Sequence, residues 1–137
     1  MKALFYPNVP FNSLFIPYIY TEIYLENLYG DVTNQQKDLV VMDVGSNIGC
    51  TVQYFRDFAK VVYAIEPSSE HYKALEKNVT YNKWTNVKPF KLALADKDGE
   101  MTLNLNPWNR TCHSLTNEYG KGKEKVKTMT FASFMKA

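Results

Sequence analysis

The sequence predicts an α/β fold, a parallel sheet with helices packed on it. Three apolar runs, at residues 39–44, 60–65 and 87–95, read as strands, and helix-spaced segments separate them. The first run breaks directly into a glycine-bracketed loop, Gly45-Ser-Asn-Ile-Gly49. A strand, a tight glycine turn and a helix form the opening unit of a doubly wound sheet, and such a turn leaves the backbone open to a ligand at the sheet's carboxyl edge.

Leu39, Val40, Val41, Met42 and Val44 form a run suited to a strand covered on both faces, so this strand is expected to be internal. Behind the loop, Val52, Phe55, Phe58 and Ala59 recur at helical spacing, which predicts a helix over 51–59. Strand 60–65 (Val61, Val62, Tyr63, Ala64) ends in Glu66-Pro67. Ser68 or Ser69 can cap the next helix, with Glu70 in its first turn and Tyr72, Leu75 and Val79 on its apolar face. Strand 87–95 follows, with Pro89 near its start, where a missing N–H costs least.

The turn Asp96-Lys-Asp-Gly99 leads to Met101, Leu103 and Leu105 alternating with polar residues, a half-exposed strand over 101–106. Residues 107–122 lack periodicity and read as a loop carrying Trp108, Arg110, Cys112, His113 and Ser114. Residues 126–131 read as a strand antiparallel to 101–106, and 132–137 as a short terminal turn. Lys121, Lys123, Lys125 and Lys127 read as a solvated face. Ahead of the sheet, residues 1–15 form a Pro- and Phe-rich lead-in. A helix is expected from Pro17 to Gly30, with Ile16, Tyr20, Ile23, Tyr24 and Leu28 as its apolar stripe, followed by a polar connector over 31–38.

The 137 residues suit one domain, with 1–38 as lead-in and 39–137 as core. With 45% hydrophobic and 22% charged residues, the chain has the makings of a packed core. A net charge of +2 gives no nucleic-acid footprint. The only cysteines, Cys50 and Cys112, have no metal-ligand spacing, and no metal site is expected. Cys50, at a helix start, reads as a small buried residue. No apolar run approaches the length of a membrane span and no secretory signal stands at the start, so the expectation is a cytoplasmic chain. The triplets Asn78-Val-Thr80 and Asn109-Arg-Thr111 are then chance matches to the glycosylation pattern.

Two carboxylates define the chemistry. Asp43, directly before the loop, would repel a pyrophosphate and suits a ligand with a cationic or hydroxyl-bearing end. The loop also lacks the middle glycine of G-x-G-x-x-G, which argues against a nicotinamide dinucleotide. Glu66 lies about 20 residues beyond the loop, where an acidic side chain in such folds holds ribose hydroxyls, its two oxygens accepting from a vicinal diol. Taken singly, these glycines could serve packing alone and Glu66 could be a solvated strand end. Their shared register favours a site.

Asp43-Val-Gly-Ser-Asn-Ile-Gly49 resembles motif I of the S-adenosylmethionine (SAM) dependent methyltransferases, and more narrowly the D-x-G-A-N-x-G loop of the FkbM-type family. Ser46 stands where that family has Ala. Further matches, in order, are Ala64-Ile-Glu-Pro67, Lys77-Asn78, Ala93-Leu-Ala-Asp96, Gly99-Glu100, Ser114-Leu115 and Thr130-Phe131. The family's Leu-Asp after the last strand is Phe131-Ala132 here. Its later strands and helices are not represented, so the resemblance implies an incomplete Rossmann-like domain: a truncated chain, or one completed by another chain or by a second copy.

The resemblance implies SAM as cofactor and a small-molecule methyl acceptor, a hydroxyl on a sugar-like or other small compound. It places Asp43 toward the cofactor's cationic end and Gly45, Ser46, Asn47 and Gly49 along its methionine and ribose. Glu66 would hold the ribose diol. Pro67, with Ile65, would wall the adenine, and the backbone at Ala93 and Leu94 would edge it. His113 is the candidate base by placement, whereas His71, at a helix start, reads as structural. The rival expectation is a non-catalytic SAM-binding module that pairs with another chain.

Overall fold

In the computed structural model, residues 18–19, 21–33, 38–107, 112–120 and 122–137 are described. The core is a parallel sheet of β1 (Leu39–Val44), β2 (Ala59–Ile65) and β3 (Val87–Phe90), joined in that order. Helix α2 (Cys50–Phe55) connects β1 to β2 and α3 (Ser69–Tyr81) connects β2 to β3. Met42 pairs with Tyr63 and Tyr63 with Lys88, so the carboxyl ends of the strands lie level. These two strand–helix–strand units are the first half of a Rossmann-like sheet. Both helices cover the same face, where Val52 and Leu75 meet Val41, Val62, Ala64, Trp84 and Val87.

A second sheet has the order β4 (Ala93–Leu94), β6 (Lys123–Met129), β5 (Gly99–Asn104). β5 and β6 are antiparallel, as the alternation of Met101, Thr102 and Leu103 predicts. On β6 the exposed residues Lys123, Lys125 and Lys127 alternate with Val126 and Thr128, which are buried, so these lysines do form a solvated face. The terminal segment is a helix, α4 (Phe131–Lys136), not a turn. Thr130 caps it, Oγ1 accepting from Ser133 N at 3.1 Å, and Asp98 accepts from Thr130 N and Ser133 Oγ, both at 2.6 Å. Those bonds hold the Asp98 carboxyl below the usual carboxylate range. Phe131 is therefore an exposed first helical residue, not a strand end.

Three other expectations are corrected. The strand expected over 87–95 is two strands in two sheets. Leu92 turns into the core beside Ile65 and Phe134, and the chain crosses between sheets there. The helix expected over 51–59 stops at Phe55, and Ala59 already belongs to β2. The side chain of Asn86 supplies the reason: it donates to the carbonyls of Arg56 and Ala59 at 2.8 and 2.9 Å, satisfying backbone that has left the helix.

The helix expected over 17–30 is likewise interrupted: a π-helical turn (Thr21–Leu25), a break, then α1 (Gly30–Thr33). Asn27 takes a left-handed φ of 52°, which ends the first piece. Gly30 does not stop a helix but makes room, since a Cβ there would lie 1.9 Å from Asn27 Nδ2. Of the expected stripe, Ile23 is buried, Tyr24 packs edge-on against Tyr54 and Leu28 is exposed, while Ile16 and Tyr20 lie outside the described residues. This segment does cover α2, with Ile23 beside Cys50 and Ala74.

β1 lies at an edge among the described residues, which do not supply the second neighbour that its apolar run calls for. Among the described residues only β2 pairs with it, and Val40 and Val44 are 70% and 56% exposed. The antiparallel pair does not cover this edge because β6 joins β4 instead. An apolar edge with open N–H and C=O groups is a template for another strand. The chain should therefore associate through β1. At ~100 µM, a range where exposed edges normally drive association, sedimentation should show species larger than a monomer. Val40→Lys should shift them to monomer; a wild-type monomer at that concentration would count against a sticky edge.

Candidate functional site

The site is built where β1 and β2 end. Gly45 N and Ser46 N both donate to the carbonyl of Ile65, at 2.8 and 3.0 Å, so the loop after β1 is clipped to the end of β2. Gly45 takes a φ of 83°, a conformation that favours glycine, and a Cβ there would meet nothing within 4 Å. The backbone at Gly45 thus faces open space. Gly49 serves a different purpose. At φ 100° it precedes α2, and a Cβ there would lie 2.9 Å from Leu75 Cδ1. It lets loop and α3 pack closely and does not line the cavity described below.

Glu66, 5% exposed, ties the pieces together. Its Oε2 accepts from Asn47 N and its Oε1 from Ser68 N, each at 2.8 Å. One carboxylate therefore joins the loop after β1 to the start of α3. An ionised carboxylate has about four acceptor positions, so a diol can still bind to it. From behind, Asn78 Nδ2 donates to the carbonyl of Ile48 at 2.8 Å, fixing the buried middle of the loop. The Ser46 hydroxyl is turned inward and donates to the Asp43 carbonyl at 2.8 Å.

Asp43 is half-buried, and its buried Oδ2 has no hydrogen-bond partner among the described residues. Burial raises its carboxyl to about 6; the Ser46 hydroxyl opposes the shift and the Glu66 charge adds to it. A buried acceptor of this kind suits a cationic or donor-bearing ligand group. Burial also pushes the Cys50 thiol up to about 12, which removes it as a nucleophile and agrees with its reading as a small buried residue. Cys112 is exposed.

A cavity of about 90 Å³ opens over this arrangement. It is lined by Gly45, Asn47, Glu66, Pro67, His71, Leu103 and His113. His71 was read as structural. It is buried in the first turn of α3, with Nδ1 3.7 Å from Glu66 Oε1. His113 reaches the cavity from the segment after β5, its ring stacked on that of His71 at 4.7 Å between centroids and 1° between planes. Asn106 N donates to His113 Nδ1 at 3.0 Å, which leaves the proton of a neutral ring on Nε2.

The cavity brings Gly45, Asn47, Glu66, Pro67 and His113 together, while Asp43 stands on β1 near enough to Glu66 to feel its charge but does not line the cavity. Ser46 and Gly49 support the loop from within. Ala93 and Leu94 do not line the cavity. They belong to β4, and Ala93 stands behind Leu103. Sequence reasoning missed Leu103, Asn78 and His71 as parts of the site. A signal existed for Asn78, a polar residue on the apolar stripe of α3 at three residues from Leu75. Among the described residues no cluster of three or more His, Cys, Asp or Glu is placed to hold a metal ion. No helix among them is long and apolar enough to cross a membrane.

Two outcomes follow from this geometry. Gly49→Ala combines a left-handed backbone with a collision and should cost about 2 kcal/mol or more, whereas Gly45→Ala, with open space around it, should cost about 1–2 kcal/mol; urea unfolding compares them. Asp43 titrates in the folded state above its ordinary value of about 4, so the stability it contributes is complete below about pH 4 and is lost as pH rises through about 6. Asp43→Asn should therefore stabilise the protein by on the order of 2 kcal/mol at pH 8 and by little at pH 4. An equal effect at both pH values would contradict a raised Asp43.

No protein-family model and no curated protein matches the chain. Among solved structures it is similar to a SAM-dependent methyltransferase from Aquifex aeolicus, at 19% identity over 57% of this chain and 44% of that one, with a TM-score of 0.47. It is also similar to a SAM-dependent methyltransferase from Thiobacillus denitrificans in complex with S-adenosyl-L-homocysteine, at 18% identity over 60% of this chain and 39% of that one, TM-score 0.42. A third is wild-type Trm5b from Pyrococcus abyssi, at 26% identity over 50% and 21% of the two chains, TM-score 0.44. In each case the match spans less than half of the other protein's length.

Proposed function

We propose that this chain is the cofactor-binding part of a SAM-dependent methyltransferase of FkbM type, acting on a hydroxyl of a sugar-like or other small molecule. The observation that carries this reading is the Glu66 carboxylate bonded to the loop amide of Asn47, with the buried Oδ2 of Asp43 on the adjoining strand. A hydroxyl-accepting and a cation-accepting group thus flank one open stretch of backbone at Gly45. That pattern fits a ligand with a diol at one end and an ammonium group at the other.

The cofactor supplies a methyl group already activated on a sulfonium, so orientation is the main task left to the chain. Glu66 would accept from the ribose diol with the lone pairs that Asn47 and Ser68 leave over. Asp43 Oδ2 would take the ammonium end, a partner for an acceptor otherwise buried alone. The backbone from Gly45 to Asn47 would run along the methionine and ribose. Pro67 and Leu103 would form apolar walls for the adenine, with Ala93 supporting Leu103 instead of edging the ring. His113 stands close enough to serve an acceptor hydroxyl, but its Nδ1 lone pair already takes the Asn106 amide, and a base role asks for that bond to break.

The open edge of β1 favours a second reading, a SAM-binding module that acts only when another chain pairs with it. Binding without turnover on hydroxyl acceptors, with turnover restored in a larger assembly, would select it. For the cofactor site itself, calorimetry with S-adenosyl-L-homocysteine should show binding, and Glu66→Ala and Asp43→Asn should each weaken it by roughly 1–3 kcal/mol. Unchanged affinity in both variants, with melting curves showing them folded, would falsify the assignment.

A further inference from the structure

The cavity over Glu66 holds about 90 Å³, whereas sites for drug-sized ligands hold about 300–1,000 Å³. The enclosed part is thus smaller than a nucleoside, and the groups that bound it decide how much room a ligand's ring finds there. Most of the walls are fixed. Gly45 is clipped to β2 through its own amide, and Asn47 N is bonded to Glu66. Glu66 and His71 are almost fully buried, and His71 lies within the first turn of a 13-residue helix. Leu103 is buried in β5 against Ala93 and Val126.

His113 differs from all of these. It is half-buried, and its ring lies flat on His71 with 4.7 Å between centroids, which leaves no room for another ring between them. Its backbone is not loose. Asn104 N donates to Ser114 O at 2.7 Å and Ser114 N to Asn104 O at 3.0 Å, pinning the next residue to the end of β5. Rotation of the His113 side chain opens this wall, at the expense of the bond from Asn106 N and the stack on His71 among its contacts. The rotation would uncover a flat aromatic face directly beside the Glu66 carboxylate. A planar heterocycle carried on a diol-bearing sugar matches that pairing, because the ring can take the stack while the diol takes the carboxylate.

Building on the function proposed above, we propose that the face of His71 is the seat of the cofactor's planar ring and that His113 is a side-chain gate filling that seat in the free protein. Cofactor and His113 then compete for one surface, and apparent affinity is lowered by the fraction of molecules with the gate shut. Removing the gate should raise affinity.

The test uses the full chain with histidine-labelled NMR and calorimetry, and S-adenosyl-L-homocysteine as the probe. In the wild type, saturation should move the His113 ring signals to positions typical of an exposed imidazole, while the His71 signals keep a strong ring-current shift. His113→Ala should bind about 3- to 30-fold more tightly than the wild type, with its melting temperature reported alongside to show that it is folded. His113 signals that stay put at saturation, or an affinity in His113→Ala equal to or weaker than the wild type, would overturn the gate while leaving the cofactor assignment intact. Absence of binding in both proteins would overturn the cofactor assignment and the gate with it.

Discussion

The structure turns on one carboxylate. Glu66 sits at the end of β2, buried, and accepts from the amides of Asn47 and Ser68. These two amides belong to segments well separated in sequence, the loop after β1 and the entry to α3. On burial, the two amides take the place of water around the carboxylate. In exchange it fixes the loop's shape, the entry angle of α3 and, through α3, the position of His71. The site is then a by-product of how two strand–helix–strand units are joined.

A second acid close by makes this arrangement tense. Asp43 is one strand away, and the charge of Glu66 is among the causes that raise its carboxyl to about 6. The two acids are not equivalent. Glu66 has the amides, while Asp43 has burial and an oxygen with no partner. A chain selected only for stability would have little use for Asp43, where a neutral side chain would be less costly. The cost is understandable if a positive group arrives there, since the same burial that penalises the lone carboxylate strengthens its attraction to a cation.

The parts legible in the sequence were those written in short-range pattern. The apolar run before Gly45 and the one before Glu66 gave strands at nearly the right residues, and the period of two at Met101 to Leu103 gave the antiparallel partner of β6. Asp43 and Glu66 could be placed at strand ends because a strand's carboxyl end can be read from where its apolar run stops. What escaped depends on side chains far apart in sequence. Asn86 ends α2 from 30 residues away, and Asp98 secures the start of α4 across 32. Leu92 breaks a continuous apolar run into two strands because Ile65 and Phe134 provide a pocket for it, and Phe134 lies more than 40 residues on. The same crossing moved Ala93 and Leu94 away from the site. His71 looked like any helix-start histidine until the fold set Glu66 on one side of it and His113 on the other.

Glu124 gives the two sheets a common fate. It is the one acidic residue on lysine-rich β6, and it accepts from Ser69 N at the start of α3, bonds the Ser69 hydroxyl and lies 3.8 Å from Lys91 Nζ. That reach ties the second sheet to the first turn of α3, two residues from His71. A sheet fastened this way cannot peel off and leave the rest intact, because its departure would strip the helix start of one of its two carboxylate anchors, Glu124 beside Glu66. Loss of structure should spread from either sheet to the other in a single cooperative transition, with no half-folded remnant in which the first sheet persists alone.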